Sequence, residues 1–152
     1  MSSSMSSLLQ PLGSTVVFPK ESRPTSLTST MNTRKRLFLY FGASWCGPCK
    51  KLHEMLLPYY EEIKRTKSPV EVLYISHDKD EKEFDQYRAT HPWPAIPFKE
   101  KQLRKSISDL YEVKSFPTLV ILDLKHNEII SKDGRAQVFA HNDALIRSWC
   151  KL

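Results

Sequence analysis

The sequence predicts an α/β domain in which a parallel βαβ unit is followed by a β-hairpin, and three observations carry that prediction. Residues 37–41, 71–75 and 119–122 are strand-length runs dominated by bulky and β-branched side chains, suited to a buried sheet. Between the first two runs, apolar residues recur at three- and four-residue steps, which marks one face of an amphipathic helix. The turn Lys125-His126-Asn127 separates the third run from Glu128-Ile129-Ile130 and makes the two a hairpin.

Taken in order, residues 1–8 are Ser-rich with almost nothing to bury and are expected to be disordered. With 152 residues, the chain is long enough for one well-buried domain and too short for two, so residues 9–152 are expected to form a single domain. Residues 14–18 have strand composition, and Pro19, Ser22 and Pro24 supply a turn, giving an accessory hairpin over about residues 9–27. Gly42, Ala43 and Ser44 turn the chain after the first core strand. Leu52, Met55, Leu56, Tyr59, Tyr60 and Ile63 then mark the helix. After the second core strand, Asp78 or Asp80 is placed to cap a helix running through Phe84 and Tyr87. The order strand, helix, strand predicts a right-handed crossover. Pro92, Pro94 and Pro97 around Trp93 predict a rigid loop, and Leu103, Ile107, Leu110 and Tyr111 a further helix. Residues 144–149 close the chain as a helix, and no internal repeat is visible.

The chemistry is concentrated in Trp45-Cys46-Gly47-Pro48-Cys49-Lys50, two thiols spaced C-x-x-C where a helix begins. At that position the unpaired backbone N–H groups and the positive end of the helix dipole favour a thiolate. An ordinary Cys of pKa ~8.5 is only about 3% ionised at neutral pH, and half ionisation asks about 2 kcal/mol of environmental preference. Cys46, nearer the helix end, is expected to attack, and Cys49, one turn inside, to resolve the mixed disulfide. The rival reading is a zinc half-site, but zinc takes four ligands and the only other cysteine is Cys150. His53 and His77 are the remaining recruits, and His53 reads as a helix-surface residue. A redox pair is therefore expected ahead of both zinc and the remaining alternative, a fixed structural disulfide, with no metal and no bound cofactor.

Together with the hexapeptide, the mid-helix Pro58 and Tyr111-x-Val113-x-x-Phe116-Pro117-Thr118 ahead of a strand resemble the thioredoxin superfamily. The N-terminal hairpin, Tyr40 to Cys46, the loop His91-Pro92-Trp93-Pro94-Ala95-Ile96-Pro97-Phe98 and Gly134-Arg135 make the chain more similar to its tryparedoxin and nucleoredoxin branch. The resemblance covers roughly Leu9 to the C-terminus. It implies a thioredoxin-like three-layer sandwich: a central mixed sheet with helices on both faces and the N-terminal β-hairpin. It also implies a cis Phe116–Pro117 peptide facing the cysteines, with Trp45 as an apolar rim. Phe116 then offers backbone groups to a substrate, with Pro117 and Arg135 also on the substrate side; Arg135 reads equally as an ordinary surface charge. Thioredoxins carry a buried Asp where this chain has Tyr40, and the branch's substitute matches Asp78, a candidate general base for Cys49. Asp78 reads equally as a helix N-cap.

Two departures stand out. Gly47-Pro48 is the thioredoxin form rather than the Pro-Pro usual in tryparedoxins, and His77-Asp78-Lys79 replaces Trp-Asp-Glu. Lys79 is expected to repel a polyamine-bearing thiol such as trypanothione.

The leading function is a thiol–disulfide oxidoreductase that reduces disulfides in proteins such as peroxiredoxins. Its expected donor is a low-molecular-weight dithiol, trypanothione or another small thiol reductant, or a separate reductase. The alternative is a redox-sensitive interaction module without turnover. The net charge of +6 is carried by short, interspersed basic groups and reads as a solvated surface, so no nucleic acid partner is expected. No apolar run approaches ~20 residues, three cysteines are too few for a secreted disulfide scaffold, and the first residues lack a signal peptide's pattern. A cytoplasmic monomer without membrane contact is expected. The alternative location is the peroxisome or glycosome, through Cys150-Lys151-Leu152, a variant of the Ser-Lys-Leu address. Cys150 is the odd thiol, open to exposure and pairing between chains.

Overall fold

The computed structural model describes residues 7–151. A short 3-10 turn, Gln10–Leu12, leads into β1 (Thr15–Val16) and β2 (Thr25–Ser26), followed by α1 (Leu27–Met31), β3 (Arg36–Gly42), α2 (Gly47–Thr66) and β4 (Val70–Ser76). Helices α3 (Glu81–Arg88) and α4 (Lys101–Leu110) precede β5 (Thr118–Asp123), β6 (Glu128–Ser131), α5 (Gly134–Phe139) and α6 (Asp143–Cys150). The main sheet has the order β4-β3-β5-β6. Strand β4 runs parallel to β3, and the β3–β5 and β5–β6 pairs are antiparallel. The sheet is therefore mixed, and β1 and β2 form a separate antiparallel hairpin.

Alternation along the strands divides the interior into two layers. Phe38, Tyr40, Val72, Tyr74, Leu119 and Ile121 pack against α2 (Leu52, Leu56, Tyr60, Ile63) and against Ile146 and Trp149 of α6. Leu37, Leu39, Phe41, Leu73, Ile75, Val120 and Leu122 face the other way, onto α1, Ile107 of α4 and the N-terminal segment. Both faces of the central strands are buried, which is why the runs read as continuous rather than alternating.

Strand β4 would leave an open sheet edge, and the proline loop closes it. The Tyr74 amide donates to the Pro94 carbonyl at 3.0 Å, and the Ile96 amide donates to the Tyr74 carbonyl at 3.0 Å. Ala95 in turn exchanges backbone bonds of 2.8 and 2.9 Å with Val17, so the hairpin is tied to the sheet through this loop.

Several expectations are corrected. The ladder of the first hairpin strand covers only Thr15–Val16, with Val17 as an isolated bridge. Helices α1 and α5 are too short to show a period; α1 is capped by Ser26, whose hydroxyl accepts the Ser29 amide at 3.2 Å. Leu110 is exposed, not core. Cys150 is fully buried, and burial pushes its thiol up to about 12, so it is not an exposed pairing thiol. Leu8, expected to be disordered, packs partly buried against the core. The expectation for residues 1–6, and Leu152 of the C-terminal tripeptide, lie outside the described residues. Among the described residues no helix is long and apolar enough to cross a membrane.

His53 is buried rather than on the helix surface. It lies on the inward stripe of α2, where the rings of His91 and Trp93 pack onto it with centroids at 4.5 and 5.4 Å. Burial holds both imidazoles below their ordinary value, well below for His91, where the neighbouring His53 adds to the effect. An unfolded chain titrates its histidines near 6.5, so below that pH it binds more protons than the folded one, and stability falls as pH falls. Urea unfolding between pH 7.5 and 5 should show this, at up to ~1.4 kcal/mol per pH unit for each imidazole. His91→Phe should flatten the dependence; a parallel curve would remove His91 from the account. Trp93→Ala should cost about 3–5 kcal/mol in the same measurement, since its ring is 1% exposed and packs on Tyr40 and Tyr60.

Candidate functional site

The site begins where β3 ends. The chain turns through Ala43 to Trp45, and Cys46 is the N-cap of α2, with extended backbone dihedrals. Its Sγ accepts the Cys49 amide at 3.2 Å. Pro48 lies in the first turn, where its missing N–H has no cost, and no acidic side chain stands there to oppose a thiolate. Cys46 and Cys49 are joined by a disulfide, so the structure is that of the oxidised pair. Cys46 keeps 6% of its surface exposed and Cys49 none. An incoming thiol therefore meets Cys46 first.

The rim is aromatic. Trp45 is 51% exposed, unusual for so large an apolar ring. Its Nε1 donates to the His77 carbonyl at 3.1 Å, and its ring meets Phe116 edge-to-face with centroids 5.8 Å apart. The His77 imidazole covers Phe116 from another side at 4.4 Å, and its Nε2 shares a 2.8 Å hydrogen bond with Ser108. The Phe116–Pro117 peptide bond is cis. Arg135 Nη1 donates to the Pro117 carbonyl at 3.2 Å, so this half-buried guanidinium belongs to the loop and is not a free surface charge. Gly134 allows that reach: a Cβ there would stand 2.9 Å from the Leu119 carbonyl, a backbone atom unable to yield.

Behind the cysteines lies a hydroxyl network. Tyr40 Oη donates to the Cys49 carbonyl at 3.1 Å and shares a 2.9 Å bond with Tyr87 Oη. Burial raises Tyr40 far above the ordinary phenol value, so it stays a neutral donor. Asp78, 6% exposed, accepts the Ser44 amide on Oδ1 at 2.5 Å, and the Tyr74 and Ser76 hydroxyls on Oδ2 at 2.9 and 2.6 Å. It caps no helix. Asp80 is the N-cap of α3, accepting the Glu83 amide at 2.8 Å, so the capping reading of Asp78 is overturned. Arg104 secures the same corner, with Nη1 on the Ser76 carbonyl at 2.8 Å and Nη2 on the Phe98 carbonyl at 2.8 Å.

The structure thus gathers Trp45, Cys46, Cys49, Asp78, Phe116, Pro117 and Arg135 around one end of the sheet. Sequence reasoning missed Ser44, Ser76, Tyr87 and Arg104. Only Arg104 left a signal, a charge set into the apolar stripe of α4. In the sequence His77 reads as a zinc recruit and as part of the His77-Asp78-Lys79 departure, not as a rim residue. Among the described residues no group of three or more His, Cys, Asp or Glu is placed to hold a metal ion. The chemistry that the Cys46–Cys49 pair itself offers is exchange between a dithiol and a disulfide.

Comparison with known proteins places this geometry. The family described as "Thioredoxin-like" matches residues 34–129. Mouse nucleoredoxin is 33% identical over 124 residues, 82% of this chain; the match spans 28% of that protein's length. Tryparedoxin of Trypanosoma brucei brucei is 34% identical over 115 residues, covering 76% of this chain and 79% of that protein. The solved structure of tryparedoxin II complexed with glutathionylspermidine superposes with a TM-score of 0.77 at 27% identity, covering 90% of this chain and 94% of that one. The chain therefore belongs to the thioredoxin-like family, in the branch that holds the nucleoredoxins and tryparedoxins.

Proposed function

We propose that this chain is a thiol–disulfide oxidoreductase that reduces disulfides in proteins such as peroxiredoxins. One observation carries the reading: Cys46 Sγ sits at the N-terminus of a 20-residue helix, accepts the Cys49 amide, and lies beside an exposed Trp45–Phe116 rim. In the reduced enzyme the Cys46 thiolate attacks one sulfur of the target disulfide, forming a mixed disulfide and releasing the other sulfur as a thiolate. Cys49 then gives up its proton and attacks Cys46, expelling the second target thiolate. Two electrons pass to the target, and the enzyme is left with the Cys46–Cys49 disulfide.

The proton acceptor in this reading is Asp78. It is buried at the end of β4, its charge acts on Tyr40, and Tyr40 bonds the Cys49 carbonyl. Asp78 also holds the Ser44 amide two residues ahead of Cys46 and so positions the turn. Trp45, Phe116 and Pro117 form the apolar platform for the target, and Arg135 keeps the Pro117 carbonyl in place. A small dithiol or a separate reductase returns the disulfide to the dithiol. Tryparedoxin II was solved with glutathionylspermidine, a polyamine-bearing thiol. The exposed Lys79 beside this site disfavours such a cation, so an uncharged or anionic thiol is the better donor here.

Three outcomes test the reading. Sub-stoichiometric protein should reduce insulin, with turnover abolished by Cys46→Ser; Cys49→Ser should accumulate a mixed disulfide with the target. Tight redox-dependent complexes without turnover would instead favour an interaction module. Asp78→Asn should slow resolution by at least ~10²-fold at neutral pH if the carboxylate takes the proton. A slowing that appears only together with a lowered melting temperature would leave positioning as its role. Reduction of the disulfide by glutathione or a thioredoxin reductase system should match or exceed that by trypanothione; a large excess in favour of trypanothione would overturn the donor assignment.

A further inference from the structure

At the end of the sheet opposite the disulfide, a hollow of about 360 Å³ is lined by Lys35, Arg36, Asp123, Lys125, His126 and Lys151. Strand β3 separates it from the cysteines by its full length, ~20 Å. Its floor is apolar, from Pro69 and Val70. The one carboxylate, Asp123, is already neutralised: Arg36 Nη2 reaches it at 3.4 Å, and the His126 ring and amide at 2.9 and 3.0 Å. Burial works to raise Asp123, but those contacts hold it below the ordinary carboxylate value, so it stays an ion fully occupied by its neighbours.

Arg36 is occupied as well, since its Nη1 donates to the Trp149 carbonyl at 3.0 Å. Lys35, Lys125 and Lys151 are different. Among the described residues their ammonium groups form no hydrogen bond or ion pair, and all three are exposed at one rim. Across Pro69 lies a second hollow bearing Arg34, Lys64 and Lys67; Arg34 and Lys64 are paired with the buried Glu71, and Lys67 has no such partner. Seven Lys and Arg thus line the two hollows, and even with the buried Glu71 behind them counted beside Asp123 they outnumber the carboxylates by five, in a chain whose net charge is +6. A solvated basic surface scatters its charges among acids; here Lys35, Lys67, Lys125 and Lys151 stand without an acidic partner among the described residues, around adjoining concavities.

We infer that this end of the molecule binds a small ligand carrying two or more linked phosphates. A phosphate concentrates up to two charges and three acceptor oxygens in one group, which suits three ammonium groups around a single hollow better than spaced carboxylates do. A linked second phosphate reaches toward Lys67, and the hollow has the size of a nucleotide-scale ligand. The site stands apart from the redox centre and does not rest on the proposed reaction.

The full-length protein should be titrated with inorganic tripolyphosphate in 50 mM salt by calorimetry, with backbone amide shifts followed in parallel. Saturable binding is expected, with the largest shifts at Lys35, Val70 and residues 124–126, and with affinity falling as salt is raised. Lys35→Gln, Lys125→Gln and Lys151→Gln together should weaken binding at least ~10-fold, while insulin reduction and the circular dichroism spectrum stay unchanged. ATP binding more tightly than tripolyphosphate would identify a nucleotide, its base on the apolar floor; equal affinities would identify the phosphate chain as the whole ligand. Absence of saturable binding up to millimolar tripolyphosphate, unaltered affinity in the triple variant, or shifts centred on Cys46 would each overturn the inference.

Discussion

The seating of α2 on the β3–β4 pair is the interaction on which the rest of the molecule depends. Leu52, Leu56 and Ile63 press onto the sheet, each almost fully buried. A polar pin secures either end. At the start, Tyr40 Oη holds the Cys49 carbonyl at 3.1 Å. Toward the other end, Tyr60 Oη donates at 2.8 Å to Glu71, a carboxylate with no exposed surface that also takes Lys64 at 3.1 Å and the Val72 amide at 3.0 Å. Buried polar groups are tolerated because each finds partners, and unlike apolar contacts they are directional. They set how α2 lies along the sheet, and so where its N-terminus and Cys46 arrive.

With that terminus placed, the surroundings of the cysteines follow from the ends of neighbouring strands. Strand β4 delivers Ser76, His77 and Asp78, and β5 begins just after the cis Phe116–Pro117 peptide. Asp78 joins two of these parts, since one carboxylate accepts from the loop before α2 and from Tyr74 and Ser76 of β4. Thioredoxins place a carboxylate on the strand before the cysteine motif. Here that strand carries Tyr40, whose hydroxyl takes up the Cys49 carbonyl, and the carboxylate reaches the loop from the adjacent strand. In this chain Asp78 ties the cysteine loop to the sheet, and Tyr40 stays neutral nearby because burial disfavours its phenolate.

The outer edge of β4 shows how local chemistry and long-range closure meet. Pro92, Pro94 and Pro97 read as punctuation in the sequence, yet they frame Ala95, which pairs with Tyr74 on one side and Val17 on the other. Trp93 and His91 are thereby folded onto α2, and His53 is enclosed. Nothing in the period of α2 distinguishes an inward histidine from one at the margin of its apolar face. The loop that covers it comes from nearly forty residues later in the chain.

The sheet-forming runs, the helix behind the cysteines, the closing hairpin and the C-x-x-C pair are legible in the sequence, because they rest on periodicity, turn residues and spacing, all of them local properties of the chain. The partner of Asp78, the burial of His53 and Cys150, the bond from Arg135 to Pro117 and the gathering of unpaired lysines at the far end were decided only by tertiary structure. Each depends on which segments come within a few ångströms after folding. A charged side chain reads the same in sequence whether it caps a helix, anchors a loop or stands open to a ligand; burial and the donors it meets set the difference.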